Sequence, residues 1–251
     1  ALLKKAAGIE IQMVCPLHGP VWRKTPESAS KTGTSQQLIC AAAAALLAAV
    51  GRGRSGIGAL ALAARDAGLA GLEFAAGIPG SVGGAAAMNA GAYGGEIAQV
   101  LRSARVLQPD GEIVDMENAD LAFGYRTSAL QAPGRICLGA RFVLQRGNRE
   151  EISGRMADLA ARRREKQPLQ FPSAGSFFKR PEGYFAGRLI EQAGLKGAHV
   201  GGAQVSSLHA GFLINRGGAT FADMAELICQ VQQRVLEETG VTLEPEVKIV
   251  K

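Results

Sequence analysis

The sequence predicts an α+β fold. Helix-like and strand-like stretches follow one another without a sustained βα alternation. Apolar residues make up 47% of the chain and charged residues 20%, so it can bury a core and is not disordered. Its 33 glycines mark frequent turns and close backbone approaches. With 251 residues the chain holds one large domain or two modest ones.

Glu10 to Val14 reads as a strand, and the turn-rich CPLHGP follows. Cys15 and His18 form a C-x-x-H pair, but a metal site needs three or four ligands and no second pair exists, so no metal is expected. Glu27 to Gln37 is polar and reads as a linker. Leu38 to Val50 is alanine-rich and predicts a helix. It is shorter than the roughly 20 residues needed to cross a bilayer, and it starts too far in for a signal peptide. GRGRSG then imitates a dinucleotide fingerprint on Gly51, Gly53 and Gly56, which allows a nicotinamide-dependent Rossmann enzyme. Against that, the alanine-rich run before it prefers helix to the strand the fingerprint needs.

Ile57 to Gly68 predicts an amphipathic helix, with Leu60, Ala64 and Ala67 on one face and Gly68 past its end. Leu69 to Phe74 reads as a short strand. Residues 77–97, GIPGSVGGAAAMNAGAYGGEI, are too rich in glycine for an ordinary helix or strand. They suit a cradle of backbone N–H groups anchored by Ile78, Val82, Met88 and Tyr93. Arg102 to Met116 predicts a hairpin about Pro109-Asp110-Gly111. Ile136 to Gln145 alternates Leu138, Ala140, Phe142 and Leu144, a half-buried strand. Glu150 to Lys166 predicts a helix with Ile152, Met156 and Leu159 inward and RRREK at its negative end.

Next comes AGSFFKRP, residues 174–181. Ser-Phe-Phe-Lys reads as a strand, with Ser176 and Phe178 on one face and Phe177 and Lys179 on the other. A hydroxyl on a rigid strand is a candidate proton donor. Tyr184 to Ala193 predicts a helix stopped by Gly194, and His209 to Asn215 a strand. Thr220 and Asp223 cap a long helix with Met224, Leu227, Ile228, Val231 and Val235 inward and Gly240 at its end. Val247 to Val250 reads as a final strand.

The net charge of +6 suits an anionic small molecule or nucleic acid alike. Aromatic residues are only 5% and do not interleave with a basic patch, which argues against nucleic acid. Cys15, Cys40, Cys137 and Cys229 are scattered, so a reducing cytoplasm is the expected setting.

The glycine-rich segment, FGYR, RRREKQPL, PSAGSFFKRPEGYFAGRLIEQAGLKG, GGAQVS, HAGFLINRGGAT and LEPEV occur in one order. Together they resemble the UDP-N-acetylenolpyruvoylglucosamine reductase family, from about Ile57 to the C-terminus. The compact link before SFFK is similar to that of the family's shorter class. The resemblance implies the remainder of a two-part FAD-binding domain, residues 56–148, followed by an α+β substrate-binding domain, residues 149–251. Residues 1–55 do not match the family, and its usual G-G-G-S-N cradle for the FAD pyrophosphate is missing from them. CPLHGPVWR instead is similar to a short stretch of flavodiiron proteins, without their other ligand motifs.

The resemblance further implies FAD, reduced by NADPH, and a UDP-sugar substrate for a cytoplasmic monomer. Ser176 becomes the general acid, Arg126 the partner of the substrate carboxylate, and Glu246 an assistant to the proton transfer. Gly77, Ile78, Pro79, Gly80, Ser81, Val82, Gly83, Gly84, Asn89, Gly91 and Ala92 become flavin contacts. Tyr125, Lys179, Arg180 and His209 become substrate contacts, and Gly201, Gly202 and Gln204 a supporting turn. The same resemblance allows a non-catalytic remnant that lacks the cradle and purifies without colour.

Overall fold

The computed structural model describes residues 9–14 and 56–247. The C-x-x-H pair, the polar linker, the helix expected over Leu38 to Val50 and the glycines Gly51 and Gly53 lie outside them. So does the expected final strand beyond Val247. The chain divides into two compact units, residues 1–160 and 161–251, and the division falls within a long helix.

In the first unit, β1 (Ile9–Val14), β5 (Leu101–Leu107), β6 (Ile113–Glu117) and β7 (Ile136–Arg146) form an antiparallel sheet in the order β1-β7-β5-β6. β1 runs against β7 from Ile9 opposite Leu144 to Val14 opposite Gly139. Ala140, Phe142 and Leu144 of β7 are buried, following the period of two in the sequence. The β5–β6 hairpin turns where expected. Gly111 adopts φ +90, and Asp110 accepts a hydrogen bond from the Glu112 N–H. Against this sheet packs α1 (Ile57–Asp66), whose Ile57, Leu60, Ala61, Ala63 and Ala64 are buried. Ile152 and Met156 of α3 (Arg149–Lys166) reach the same core.

Two local expectations change. The strand expected over Leu69 to Phe74 stops after β2 (Leu69–Ala70), because Gly71 takes φ +123 and the Glu73 carboxylate accepts the Gly71 N–H at 2.7 Å. The glycine-rich segment does contain a helix, α2 (Val82–Ala87). Ser81 caps it, accepting the Gly84 N–H at 3.1 Å, and burial of Val82, Ala85 and Ala86 offsets the poor propensity of Gly83 and Gly84.

In the second unit, β8 (Ser173–Ser176), β9 (His199–Val200), β10 (Ala203–Val205) and β11 (Phe212–Asn215) form an antiparallel sheet in the order β8-β11-β10-β9. Helix α4 (Ala186–Gln192) ends before Gly194 at φ +72. Helix α5 (Phe221–Thr239) begins with the expected reciprocal Thr220–Asp223 cap and ends at Gly240 in the left-handed region. Its Leu227, Ile228, Val231 and Val235 are buried.

Gly201 and Gly202 make the turn between β9 and β10. A Cβ on Gly202 would stand 2.3 Å from the Gly217 carbonyl oxygen and 2.5 Å from the Ala219 nitrogen, both backbone atoms. Gly202→Ala is therefore expected to destabilise the protein by about 3 kcal/mol, the upper end of the usual overpacking cost. Urea unfolding of the full chain measures this, and an unshifted midpoint would mean that the turn moves aside freely.

Candidate functional site

The candidate residues fall in both units, and each group has its own local construction. In the first unit, Gly77, Pro79, Gly80, Ser81 and Gly84 are exposed, while Val82 is buried beneath them and Ile78 packs partly on the core. The Gly80 carbonyl accepts from the Ile57 N–H at 2.9 Å, which fixes the ridge to α1. A Cβ on Gly80 would meet nothing within 4 Å. A flat ring or a phosphate can thus approach this main chain closely, and the residues fit a flavin cofactor. Gly83 faces inward instead, with its Cβ position 3.6 Å from Cys137.

Gly91 and Ala92 form β3 (Gly91–Ala92), paired with β4 (Gly95–Glu96) across a two-residue turn. Tyr93 and Gly94 take φ +53 and +85, as a tight hairpin demands. A Cβ at Gly91 would lie 2.9 Å from the Gly95 carbonyl oxygen, so glycine here serves strand pairing. The resemblance implies a cofactor contact for Asn89, and its side chain is committed within the protein. Its Nδ2 donates to the Gly124 carbonyl at 3.1 Å, and its Oδ1 accepts from the Ala98 N–H at 2.9 Å.

Tyr125 and Arg126 occupy the two central positions of a tight turn closed by Gly124 and Thr127. Tyr125 is 58% exposed, and the Arg126 guanidinium carbon lies 5.6 Å from its ring centroid. Arg126 adopts φ +55. A side chain bearing Cβ costs about 1–2 kcal/mol there, a kind of strain that clusters at functional sites. The Gln131 amide donates to the Arg126 carbonyl at 3.0 Å and to the Ala87 carbonyl at 2.9 Å.

In the second unit, Ser176 ends β8 opposite Phe212 of β11 and is exposed. The expected strand over SFFK is displaced toward the N-terminus and covers Ser173–Ser176. The expected alternation also fails, because Phe177 and Phe178 are both buried, at 7% and 3% exposure. The chain here is flanked on two sides. Phe177 N–H donates to the Gly211 carbonyl, and the Phe177 carbonyl accepts from the Glu246 N–H at 2.8 Å. Phe178 bridges to Pro245, and the Lys179 N–H donates to the Glu244 carbonyl at 2.8 Å. LEPEV thus runs antiparallel beside residues 177–179, and Glu246 lies on the segment next to Ser176.

Lys179 was expected to face a substrate anion, and its ammonium pairs with the Glu244 carboxylate. The pair is largely exposed, and such pairs contribute only about 0–1 kcal/mol, so a phosphate can displace the carboxylate. The Arg180 guanidinium stacks 3.9 Å above the Phe185 ring and donates from Nε to the Tyr184 carbonyl.

The expected strand over His209 to Asn215 begins only at Phe212, because residues 209–211 turn. Ser206 Oγ accepts from the Leu208 and His209 N–H groups, and the His209 carbonyl accepts from Phe212. His209 Nδ1 accepts from the Gly211 N–H at 3.1 Å, which leaves the proton of the neutral ring on Nε2. Its ring meets Phe212 edge-to-face at 4.9 Å. Burial pushes the imidazole below its ordinary pKa, and Lys196 adds to this while Glu191 opposes it.

The folded protein thus favours neutral His209. The resulting stability is complete above the unfolded-state pKa, near 6.5, and is lost as pH falls toward the lower folded value. Thermal unfolding between pH 7.5 and about 5.5 is expected to show a larger loss for the parent than for His209→Asn, which keeps an acceptor for Gly211. Equal losses in both proteins would show that His209 titrates alike in the folded and unfolded chains.

Among the described residues no helix is long and apolar enough to cross a membrane, and no group of three or more His, Cys, Asp or Glu side chains could hold a metal. Residues 167–250 match the family described as UDP-N-acetylenolpyruvoylglucosamine reductase, C-terminal domain, and residues 37–117 match an FAD binding domain. The second match takes in GRGRSG, so those glycines fall within a flavin-binding likeness and not a nicotinamide one. A UDP-N-acetylenolpyruvoylglucosamine reductase of Lachnoclostridium phytofermentans is 53% identical over 194 residues, 77% of this chain and 63% of the relative. One of Agathobacter rectalis is 54% identical over 213 residues, 85% of this chain and 65% of the relative. The chain therefore spans a little under two thirds of these curated relatives. The crystal structure of UDP-N-acetylenolpyruvylglucosamine reductase from Thermus caldophilus superposes with a TM-score of 0.68 at 42% identity, covering 77% of this chain and 70% of that one.

Proposed function

Because the chain belongs to the UDP-N-acetylenolpyruvoylglucosamine reductase family, we propose that it reduces UDP-N-acetylenolpyruvoylglucosamine to UDP-N-acetylmuramate with FAD and NADPH, in the cytoplasm, for peptidoglycan precursor synthesis. The observation that most supports this is the pairing of residues 177–179 with residues 244–246, which sets the Glu246 segment beside an exposed serine.

FAD, when bound along Gly77 to Gly84, supplies the hydride that reduces the enol ether double bond. The protein's own part is electrostatic and acid–base. As negative charge spreads onto the substrate carboxylate and the adjacent carbon, the Arg126 guanidinium pairs with that carboxylate. The Ser176 hydroxyl gives its proton to the carbon. A serine is a weak acid, and the half-buried Glu246 carboxyl group assists by returning a proton to the serine oxygen as it gives up its own. Lys179 and Arg180 hold the anionic part of the UDP-sugar, and His209 donates to it from Nε2.

The test is direct. Purified full chain is titrated with FAD while flavin fluorescence is followed, and NADPH oxidation is then measured with and without the UDP-sugar. Stoichiometric FAD binding and substrate-dependent NADPH oxidation are expected. A protein that binds no FAD would sink this function.

A further inference from the structure

Arg126 sits in a backbone conformation that its own side chain disfavours, at φ +55. The turn that carries it is closed by Gly124 N–H to Thr127 carbonyl at 3.1 Å and by a long return bond at 3.4 Å. Two backbone bonds of this kind hold a two-residue turn weakly. Two side chains from distant parts of the sequence supply the rest. Asn89, only 4% exposed, donates to the Gly124 carbonyl. Its amide orientation is fixed, because the Ala98 N–H can donate only to the oxygen end. Gln131 places one NH2 group between two carbonyls, those of Arg126 and of Ala87 at the end of α2. Ser128 adds a second bond to the same Ala87 carbonyl at 2.8 Å. Both ends of the turn are therefore fastened to the glycine-rich segment.

We infer that Asn89 and Gln131 are positioning residues that hold the Arg126 turn in its left-handed conformation and tie it to the glycine-rich segment. The inference rests on the role proposed for Arg126, which meets an anionic group of the substrate. Asn89 is itself at φ +41, a conformation asparagine tolerates better than most residues, so the brace and the loop it closes require the same residue. A guanidinium moved by an ångström loses much of its grip on a planar carboxylate.

Gln131→Met keeps the length of the side chain and removes both donors, at an exposed position where folding is not at stake. Gln131→Lys restores a donor that can reach both carbonyls. Asn89→Asp keeps the acceptor toward Ala98 and sets a carboxylate against the Gly124 carbonyl. Each full-length variant is loaded with FAD and compared with the parent in two ways. Stopped-flow measurements separate flavin reduction by NADPH from reoxidation by the UDP-sugar. Amide exchange is followed in peptides spanning residues 123–128.

For Gln131→Met, reoxidation is expected to slow by roughly tenfold, with flavin reduction and the thermal midpoint unchanged. The Thr127 amide should exchange faster, and Gln131→Lys should recover both properties. Parent-like reoxidation together with parent-like exchange in Gln131→Met and Asn89→Asp would overturn the inference. So would a loss spread equally over both half-reactions. If the parent itself turns over no UDP-sugar, the proposed function fails, and the exchange measurement alone decides whether the two amides hold the turn.

Discussion

Ser176→Ala is expected to lower turnover by about 10²- to 10⁴-fold while NADPH still reduces bound FAD at the parent rate. The hydroxyl is exposed at the end of β8, and the burial that fixes this segment belongs to Phe177 and Phe178. Removing one oxygen therefore takes away no core, and the thermal midpoint should stay within the small range typical of surface changes. The loss should appear in kcat more than in KM, because a proton is donated only as charge develops on the substrate. Product formation by the variant at the parent rate would remove Ser176 from the mechanism.

Arg126→Lys is expected to cost about 10²-fold in kcat/KM although it preserves the charge. Lysine carries a point charge and lacks the planar fork that meets a carboxylate with two parallel bonds. Both residues bear a Cβ and suffer alike at φ +55, so the comparison isolates the head group. Arg126→Gly separates the two issues further. Glycine is at ease in the left-handed region, so this variant should gain about 1 kcal/mol of stability while losing activity. An Arg126→Lys enzyme with parent kinetics would show that the arginine meets no substrate group.

The elements with strong local signals were legible in the sequence. The apolar stripe of α5 with its Thr220–Asp223 cap, the turn at Asp110-Gly111 and the alternation along β7 each follow from residues a few positions apart. The departures arose where distant chain decided the outcome. Phe177 and Phe178 are both buried because Gly211 flanks one side of the segment and residues 244–246 the other, which alternation alone cannot reveal. α2 forms through glycines because a capping serine and buried neighbours outweigh propensity. The candidate serine, arginine and glutamate were found through their surrounding motifs. The bracing role of Gln131 was not, since it reaches a carbonyl 44 residues away and leaves no periodic trace. Asn89 carried a signal in its type, as a residue suited to the left-handed region, but its partner lay equally out of sight.

The pairing of Phe177 with Glu246 also has a kinetic meaning. Ser176 stands near the start of the second unit and Glu246 near its end, so their segments meet only when the intervening loop closes. Contacts between residues so far apart in sequence are slow to form, because chain entropy is lost before any contact rewards it. Helix α5 has mostly local contacts and can appear long before the residues proposed to do the chemistry are assembled. During refolding, far-ultraviolet circular dichroism should therefore recover ahead of catalytic activity. Intermediates that look largely helical would be inert, because the last piece of the serine's surroundings arrives with the final stretch of the unit.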